Sequence, residues 1–197
     1  MENGISRPLA SEIANSAAQR GLRTAGVVLA GSALVTVCSH ISLPLWFTPV
    51  PLTLQPFAVL LLGLLLSPRL AAATLGVYLL EGAAGLPVFA PGLAFGAGIA
   101  HLLGPTGGYL MSYPAAAALV AFLRRRLARG FTGALLSAAT GNVLILLCGM
   151  AWLAIWTHGS VRSAFALAVL PFLPGDALKV VAAAAIANGL NRVRRQV

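Results

Sequence analysis

The sequence predicts an all-α integral membrane protein with six transmembrane helices and with its N- and C-termini in the cytoplasm. Three observations indicate this class: the composition, the number of apolar runs and the placement of the basic residues. Of the 197 residues, 59% are hydrophobic and 9% are charged, and the mean hydropathy is +0.91. Soluble domains carry about 25% charged residues. Because a water-facing protein cannot hide so much apolar surface in one core, lipid must be the solvent for much of it.

The apolar runs define the predicted spans and the domain organisation. The spans cover about 22–41, 52–67, 70–85, 106–123, 131–156 and 164–190. The second and third are separated only by Ser67–Arg69, which predicts a tight hairpin. With six spans and the N-terminus inside, eleven of the thirteen basic residues face the cytoplasm, as the positive-inside rule requires. The predicted parts are a cytoplasmic N-terminal segment (1–21), a six-helix transmembrane domain (22–191) and a basic cytoplasmic tail (192–197).

Two outer connections differ from ordinary loops. Residues 39–57 contain four prolines, and proline lacks the N–H that a regular helix needs. Residues 85–110 are rich in Gly and Pro yet largely apolar. Irregular backbone at membrane depth is tolerated only where it is buried in protein or lines a cavity. We therefore expect both segments to form the walls or lids of a pocket that opens outward, with packed surface loops as the alternative.

The last span holds Asp176 and Lys179, the only Asp and the only Lys of the chain. A charged side chain within the bilayer costs about 2.5–3.5 kcal/mol on insertion scales and indicates a functional site. Residues three apart on a helix share one face. Two interpretations follow: an ion pair that neutralises itself, or a ligand clamp whose carboxylate accepts N–H donors while the ammonium neutralises an anionic group.

Three further polar residues lie within or beside the spans. Glu81 lies near the outer end of the third span, where a carboxylate can reach the interface, and this interpretation is favoured over ligand binding. Gln55 follows the proline-rich segment and is predicted either to tie the lid or to contact a ligand. Asn142 in the fifth span is predicted to bridge two helices.

Several function classes are not supported by the sequence. The net charge is +9, but the arginines lie between apolar runs rather than on an amphipathic face with interleaved aromatics, so no nucleic-acid partner is predicted. The chain has neither a Gly-x-Ser-x-Gly nor a His-Glu-x-x-His motif, and no enzyme activity is predicted. Its three histidines are too scattered to indicate a metal site.

Three stretches together resemble one known family. They are PVPLTLQPFAVLLLGLLLSPRLAAATLGVYLLEGAAGLPVFA (49–90), LLGPTGGYL (102–110) and PGDALKVVAAAAIA (174–187). They resemble the BioY family of biotin transporters, which are substrate-binding S components of energy-coupling factor (ECF) transporters. The resemblance covers nearly the whole chain from the first span onward, and the motifs in this order are specific.

The resemblance implies an ECF S-component-like bundle that binds biotin near the outer face of the bacterial plasma (inner) membrane, as a multi-pass protein. It implies no cofactor in this chain, and ATP hydrolysis in partner subunits: a transmembrane coupling protein and two ABC-type ATPases. By position, substrate contact is implied for Asp176, Lys179, Gln55, Thr53, Tyr109, Gly107 and Gly108. We assign the ureido N–H groups of biotin to Asp176, and we assign to Lys179 either the carboxylate of biotin or the charge balance of the pair. The alternative function is a stand-alone secondary transporter of biotin or a related small anionic vitamin.

Overall fold

The structure, a computed structural model, describes residues 6–91, 98–128 and 130–193. Within these ranges the chain forms helices and one short hairpin. The helices are α1 (Ser6–His40), α2 (Gln55–Leu65), α3 (Pro68–Ala83), α4 (Ile99–Leu102), α5 (Gly107–Arg126), α6 (Phe131–Thr157), α7 (Val161–Ala168) and α8 (Leu173–Val193). The strands are β1 (Ser42–Leu43) and β2 (Leu52–Thr53), which pair antiparallel. The predicted all-α class is confirmed.

Three helical stretches are long and apolar enough to cross a membrane by length and composition: Ala18–His40, Phe131–Thr157 and Leu173–Val193. Helix α2 is apolar but shorter, with 11 residues. Helix α1 extends well before the predicted first span, because the stretch 9–20 contains four alanines together with Glu12, Gln19 and Arg20, which favour helix. The six-span count stays a prediction.

The sixth predicted span, 164–190, is wrong as a continuous helix. Helix α7 ends at Ala168 and α8 begins at Leu173. Pro171 explains the break, since proline cannot donate to the preceding turn and disfavours helical backbone in the residue before it. Pro174 is tolerated because it lies in the first turn of α8, where N–H groups have no helical acceptor.

The helices pack around α5. This helix contacts α2, α3 and α6, while α8 packs against α2 and α6, and α1 packs against α2 and α3. Small residues permit close approach at the crossings. A side chain at Gly63 or at Gly141 would overlap the side chain of Val120, so α2 and α6 both approach α5 closely around this residue. The resulting core holds many fully buried alanines, among them Ala116, Ala117, Ala138 and Ala183.

The first outer connection is non-helical, as predicted, between the end of α1 and the start of α2. It contains the β1–β2 hairpin, in which Ser42 faces Thr53. Thr48 fixes this segment to α7, since its Oγ1 donates to the Leu167 carbonyl at 3.0 Å. Trp46 at the tip is 95% exposed, and tryptophan is favoured at membrane–water interfaces. Because the predicted second span included 52–54, its start is corrected to Gln55.

The described part of the second outer connection turns inward after α3. Val88, Phe89 and Ala90 are buried. The Val88 carbonyl accepts two hydrogen bonds, from Ser39 Oγ at 2.7 Å and from Tyr78 Oη at 3.0 Å. This segment is thus joined to α1 and α3. Ala90 lines the cavity described below, so the segment forms part of a cavity wall, as the composition predicted. Residues 92–97 lie outside the described ranges.

Candidate functional site

A cavity lies at the end of the bundle where α2, α5 and α8 begin and where the β1–β2 hairpin crosses. Its empty volume is about 510 Å³, part of which is open to the surroundings. The wall is mostly apolar and aromatic, with a few polar groups: Thr53, Gln55, His101, Thr106, Tyr109, Tyr113, Asp176 and Lys179. Such a lining is typical of a site for an organic molecule with polar ends.

Asp176 and Lys179 form a buried ion pair on this wall. The Lys179 Nζ donates to Asp176 Oδ1 at 2.8 Å, and the residues are only 4% and 8% exposed. Both also line the cavity; the ion pair of the first interpretation is present, and the ligand clamp stays a prediction. An ammonium has three donors, and one of them serves Asp176. Burying two charges is unfavourable unless further hydrogen bonds satisfy them, so the remaining donors of Lys179 are suited to an anionic group.

Asn142 bridges α6 and α8, which confirms its predicted role. Its Nδ2 donates to Asp176 Oδ2 at 3.3 Å. The sequence did not indicate that the partner is Asp176. Its Oδ1 is buried and has no hydrogen-bond partner among the described residues. Thr106 Oγ1 on the cavity wall is in the same condition. Buried polar atoms almost always have partners, and of these two residues Thr106 lines the cavity, so its hydroxyl is available to a bound molecule.

Gln55 and Thr53 join the hairpin to the bundle and also line the cavity. Thr53 Oγ1 donates to Gln55 Oε1 at 3.3 Å, and Gln55 Nε2 donates to the Tyr78 hydroxyl at 2.5 Å. Tyr78 in turn donates to the Val88 carbonyl. Gln55 is only 4% exposed. It therefore ties the first outer connection to the second, and its predicted ligand contact stays a prediction.

Tyr109 lies on the cavity wall, whereas Gly107 and Gly108 are not among the described residues that line it. The Tyr109 hydroxyl donates to the Ala168 carbonyl at 2.6 Å, at the end of α7. A Cβ at Gly107 would overlap the Leu102 carbonyl, and one at Gly108 would lie 2.6 Å from the Cys148 carbonyl oxygen. The structure gives these glycines a packing role, and their predicted ligand contact stays a prediction.

Glu81 lies away from the cavity lining. Its carboxylate accepts a hydrogen bond from Ser32 Oγ, which connects α3 to α1. Glu81 is therefore bonded to a neighbouring helix, while the sequence favoured a position at the interface.

Sequence reasoning missed several wall residues. Thr106, Tyr113 and Phe172 were not considered, and His101 was considered only as a metal ligand. His101 is buried and stacks on Phe89, with ring centroids 4.9 Å apart. The sequence offered one signal for these residues: Thr106, Tyr109 and Tyr113 are separated by three and four residues, so they lie on one face of a helix. Tyr109 was already predicted to contact the ligand.

The fold and the site together define a helical membrane protein with a largely apolar cavity that suits a small molecule with polar ends. The family model described as "BioY family" matches residues 11–196. The chain belongs to the BioY family.

The relatives extend over most of the chain. A probable biotin transporter BioY of Pyrococcus horikoshii is 42% identical over 158 residues, covering 80% of this chain and 90% of the relative. The biotin transporter BioY of Thermotoga maritima is 36% identical over 162 residues, covering 82% and 92%. Among solved structures, the S-component for biotin from an ECF-type ABC transporter superposes with a TM-score of 0.80 at 25% identity, covering 88% of this chain and 93% of that one.

Proposed function

We propose that this protein binds biotin in the cavity and takes part in biotin uptake as the S component of an ECF-type transporter. The buried Asp176–Lys179 pair on the cavity wall carries the proposal. The names of the relatives, biotin transporters and a biotin S-component, support it.

The chemistry of biotin fits the polar groups of the site. Its ureido ring offers two N–H donors, its bicycle is compact and apolar, and its valerate chain ends in a carboxylate. Asp176 is the carboxylate acceptor on the wall, so we assign the ureido donors to it, while Asn142 donates to the same carboxylate. Lys179 keeps donors for the valerate carboxylate, in a charge-assisted hydrogen bond. Tyr113 and Phe172 supply apolar wall for the bicycle.

The first outer connection serves as the lid in this proposal. Val50, Pro51, Thr53 and Gln55 line the cavity at the hairpin, and Thr48 fixes the segment to α7. The Thr53–Gln55–Tyr78 chain of hydrogen bonds holds the lid against α3. Ligand binding would therefore stabilise the ordered conformation of the hairpin.

Equilibrium binding to the purified chain tests the function. We expect saturable binding of labelled biotin that unlabelled biotin displaces and that thiamine, riboflavin and lipoate do not. Absence of saturable binding by the folded chain contradicts the proposal. Biotin uptake is then measured in cells with and without the ECF subunits, each in the presence of a proton-gradient uncoupler. Uptake that requires the ECF subunits supports the S component, whereas a stand-alone transporter takes up biotin without them.

We further propose six spans in the plasma membrane, with both termini in the cytoplasm. The support is the distribution of basic residues, which places Arg69 inside and Arg162 outside. Partner subunits, a transmembrane coupling protein and two ABC-type ATPases, would supply ATP hydrolysis, since the chain has no Gly-x-x-x-x-Gly-Lys-Ser/Thr motif.

Cysteine labelling in intact cells tests this topology. In a background where Cys38 and Cys148 are replaced by alanine, we expect Ser160→Cys to react with a membrane-impermeant maleimide. Arg69→Cys should react only after permeabilisation, because the turn between α2 and α3 faces the cytoplasm. The reverse pattern, or equal reaction of both, would refute the proposed orientation.

A further inference from the structure

A second cleft lies at the opposite end of the bundle from the cavity. Helices α2, α5 and α8 begin at the cavity and end here. Its empty volume is about 970 Å³, including space open to the surroundings. The end of α2 and the residues after it contribute the leucines at 64–66 and Ser67, while the ends of α5 and α8 contribute Arg124, Arg125 and Asn191. The cleft thus combines an apolar wall from α2 with a basic wall from α5.

The guanidinium of Arg124 is under-used by the protein. Its Nη1 donates to the Ala128 carbonyl at 3.5 Å, the limit of a hydrogen bond. Its Nε is buried without a hydrogen-bond partner among the described residues. Arg126, in contrast, lies over the ring of Phe122, 5.1 Å from its centroid. A guanidinium presents five donors in a fork that matches the oxygens of phosphate and carboxylate, so Arg124 is suited to an anion.

The protein does not neutralise this basic wall within its described residues. The acidic side chains that the structure describes are Glu81 and Asp176; neither lines the cleft, and each has its own partner, Ser32 and Lys179. Helix C-termini carry partial negative charge equivalent to about half an elementary charge each, which favours arginines at the end of α5. Among the described side chains, no carboxylate pairs with Arg124 or Arg125.

The leucines indicate which kind of anion fits. Leu64 is buried, while Leu65 and Leu66 are partly exposed beside the cleft. A ligand that touches both walls must join an anionic group to a hydrocarbon chain. Basic pockets between transmembrane helices bind the headgroups of anionic lipids. We propose that this cleft binds an anionic phospholipid, with its phosphate on Arg124 and Arg125 and its acyl chain along the leucines.

Native mass spectrometry of the purified full chain, titrated with phosphatidylglycerol or phosphatidylcholine, tests the proposal. We expect phosphatidylglycerol to bind at least about tenfold more tightly than phosphatidylcholine. Arg124→Gln and Arg125→Gln should each weaken phosphatidylglycerol binding about tenfold, the effect of losing a charge-assisted contact. Arg162→Gln, which removes the same charge in α7 near the other end, should leave the affinity unchanged.

Thermal unfolding of each variant verifies that it is folded. Arg125 is exposed, so Arg125→Gln decides the question if Arg124→Gln does not fold. Equal lipid affinities in all variants overturn the proposal. It is also overturned if inorganic phosphate displaces the lipid as readily as phosphatidylglycerol itself does, or if the variants lose co-purifying partner subunits while they keep their lipid affinity.

Discussion

Asp176→Asn is expected to weaken biotin binding on the order of 100-fold, a loss of about 2.7 kcal/mol. The carboxylate accepts from Lys179 at 2.8 Å and from Asn142 at 3.3 Å. An amide in its place would turn one acceptor into a donor that faces the ureido N–H groups. It would also leave the buried ammonium of Lys179 without its counter-charge, which is strongly unfavourable. Isothermal titration with biotin measures the change.

The matched control for this prediction is Glu81→Gln, which makes the same change in the other acid of the bundle. Glu81 hydrogen-bonds Ser32 away from the cavity, so biotin affinity should be kept. A second variant, Asp176→Asn with Lys179→Met, removes the unpaired charge and should recover folding stability but not binding. Unchanged affinity in folded Asp176→Asn would exclude Asp176 as a ligand contact.

Gly108→Ala is expected to lower the free energy of unfolding by about 1–3 kcal/mol, as overpacking of a tight core does. The added Cβ would lie 2.6 Å from the Cys148 carbonyl oxygen and would overlap Trp152. The carbonyl belongs to the α6 backbone, so α5 and α6 must separate. Trp152 also donates from Nε1 to the Gly104 carbonyl at 2.8 Å, and its displacement would disturb the start of α5. Denaturant titration without biotin measures this effect.

Gly76→Ala is the control, because a Cβ at this position of α3 meets nothing within 4 Å. It should be neutral or stabilising by about 0.4–1 kcal/mol, since alanine restricts the unfolded chain. Equal stabilities of the two variants would contradict the packing role of Gly108. A loss of biotin affinity in Gly108→Ala without a loss of stability would instead support the ligand contact that the family resemblance implies.

Much of the site was predictable because its most informative signal is local. A lone Asp and a lone Lys three residues apart, in an apolar segment of a chain with 9% charged residues, already indicate a shared helix face. The prolines of 39–57 likewise predicted a non-helical connection. The helix break at Pro171 is also a local effect. It was not predicted because Pro171 lies in an apolar run, and hydropathy does not distinguish a helix from a buried turn.

The contacts of Asn142 and Tyr109 were not predictable in this way. Asn142 lies 34 residues from Asp176, and Tyr109 lies 59 residues from the carbonyl that it binds. In a membrane protein, an amide side chain can hydrogen-bond to any helix that packs close to its own helix, and small residues permit such close packing. Which helix this is depends on crossing geometry, and the geometry depends on contacts such as those of Gly63 and Gly141 with Val120.

The sequence by itself predicted that lipid surrounds much of the protein, that the fold is helical and that Asp176 and Lys179 share a helix face. Hydropathy, proline chemistry and helical spacing each act within one segment of the chain. Only the tertiary structure decided that Asp176 and Lys179 line a cavity together with Thr106, that Asn142 bonds Asp176, and that Gly108 serves packing. These properties depend on distances between segments far apart in the chain, and van der Waals packing of small residues sets those distances in the folded bundle.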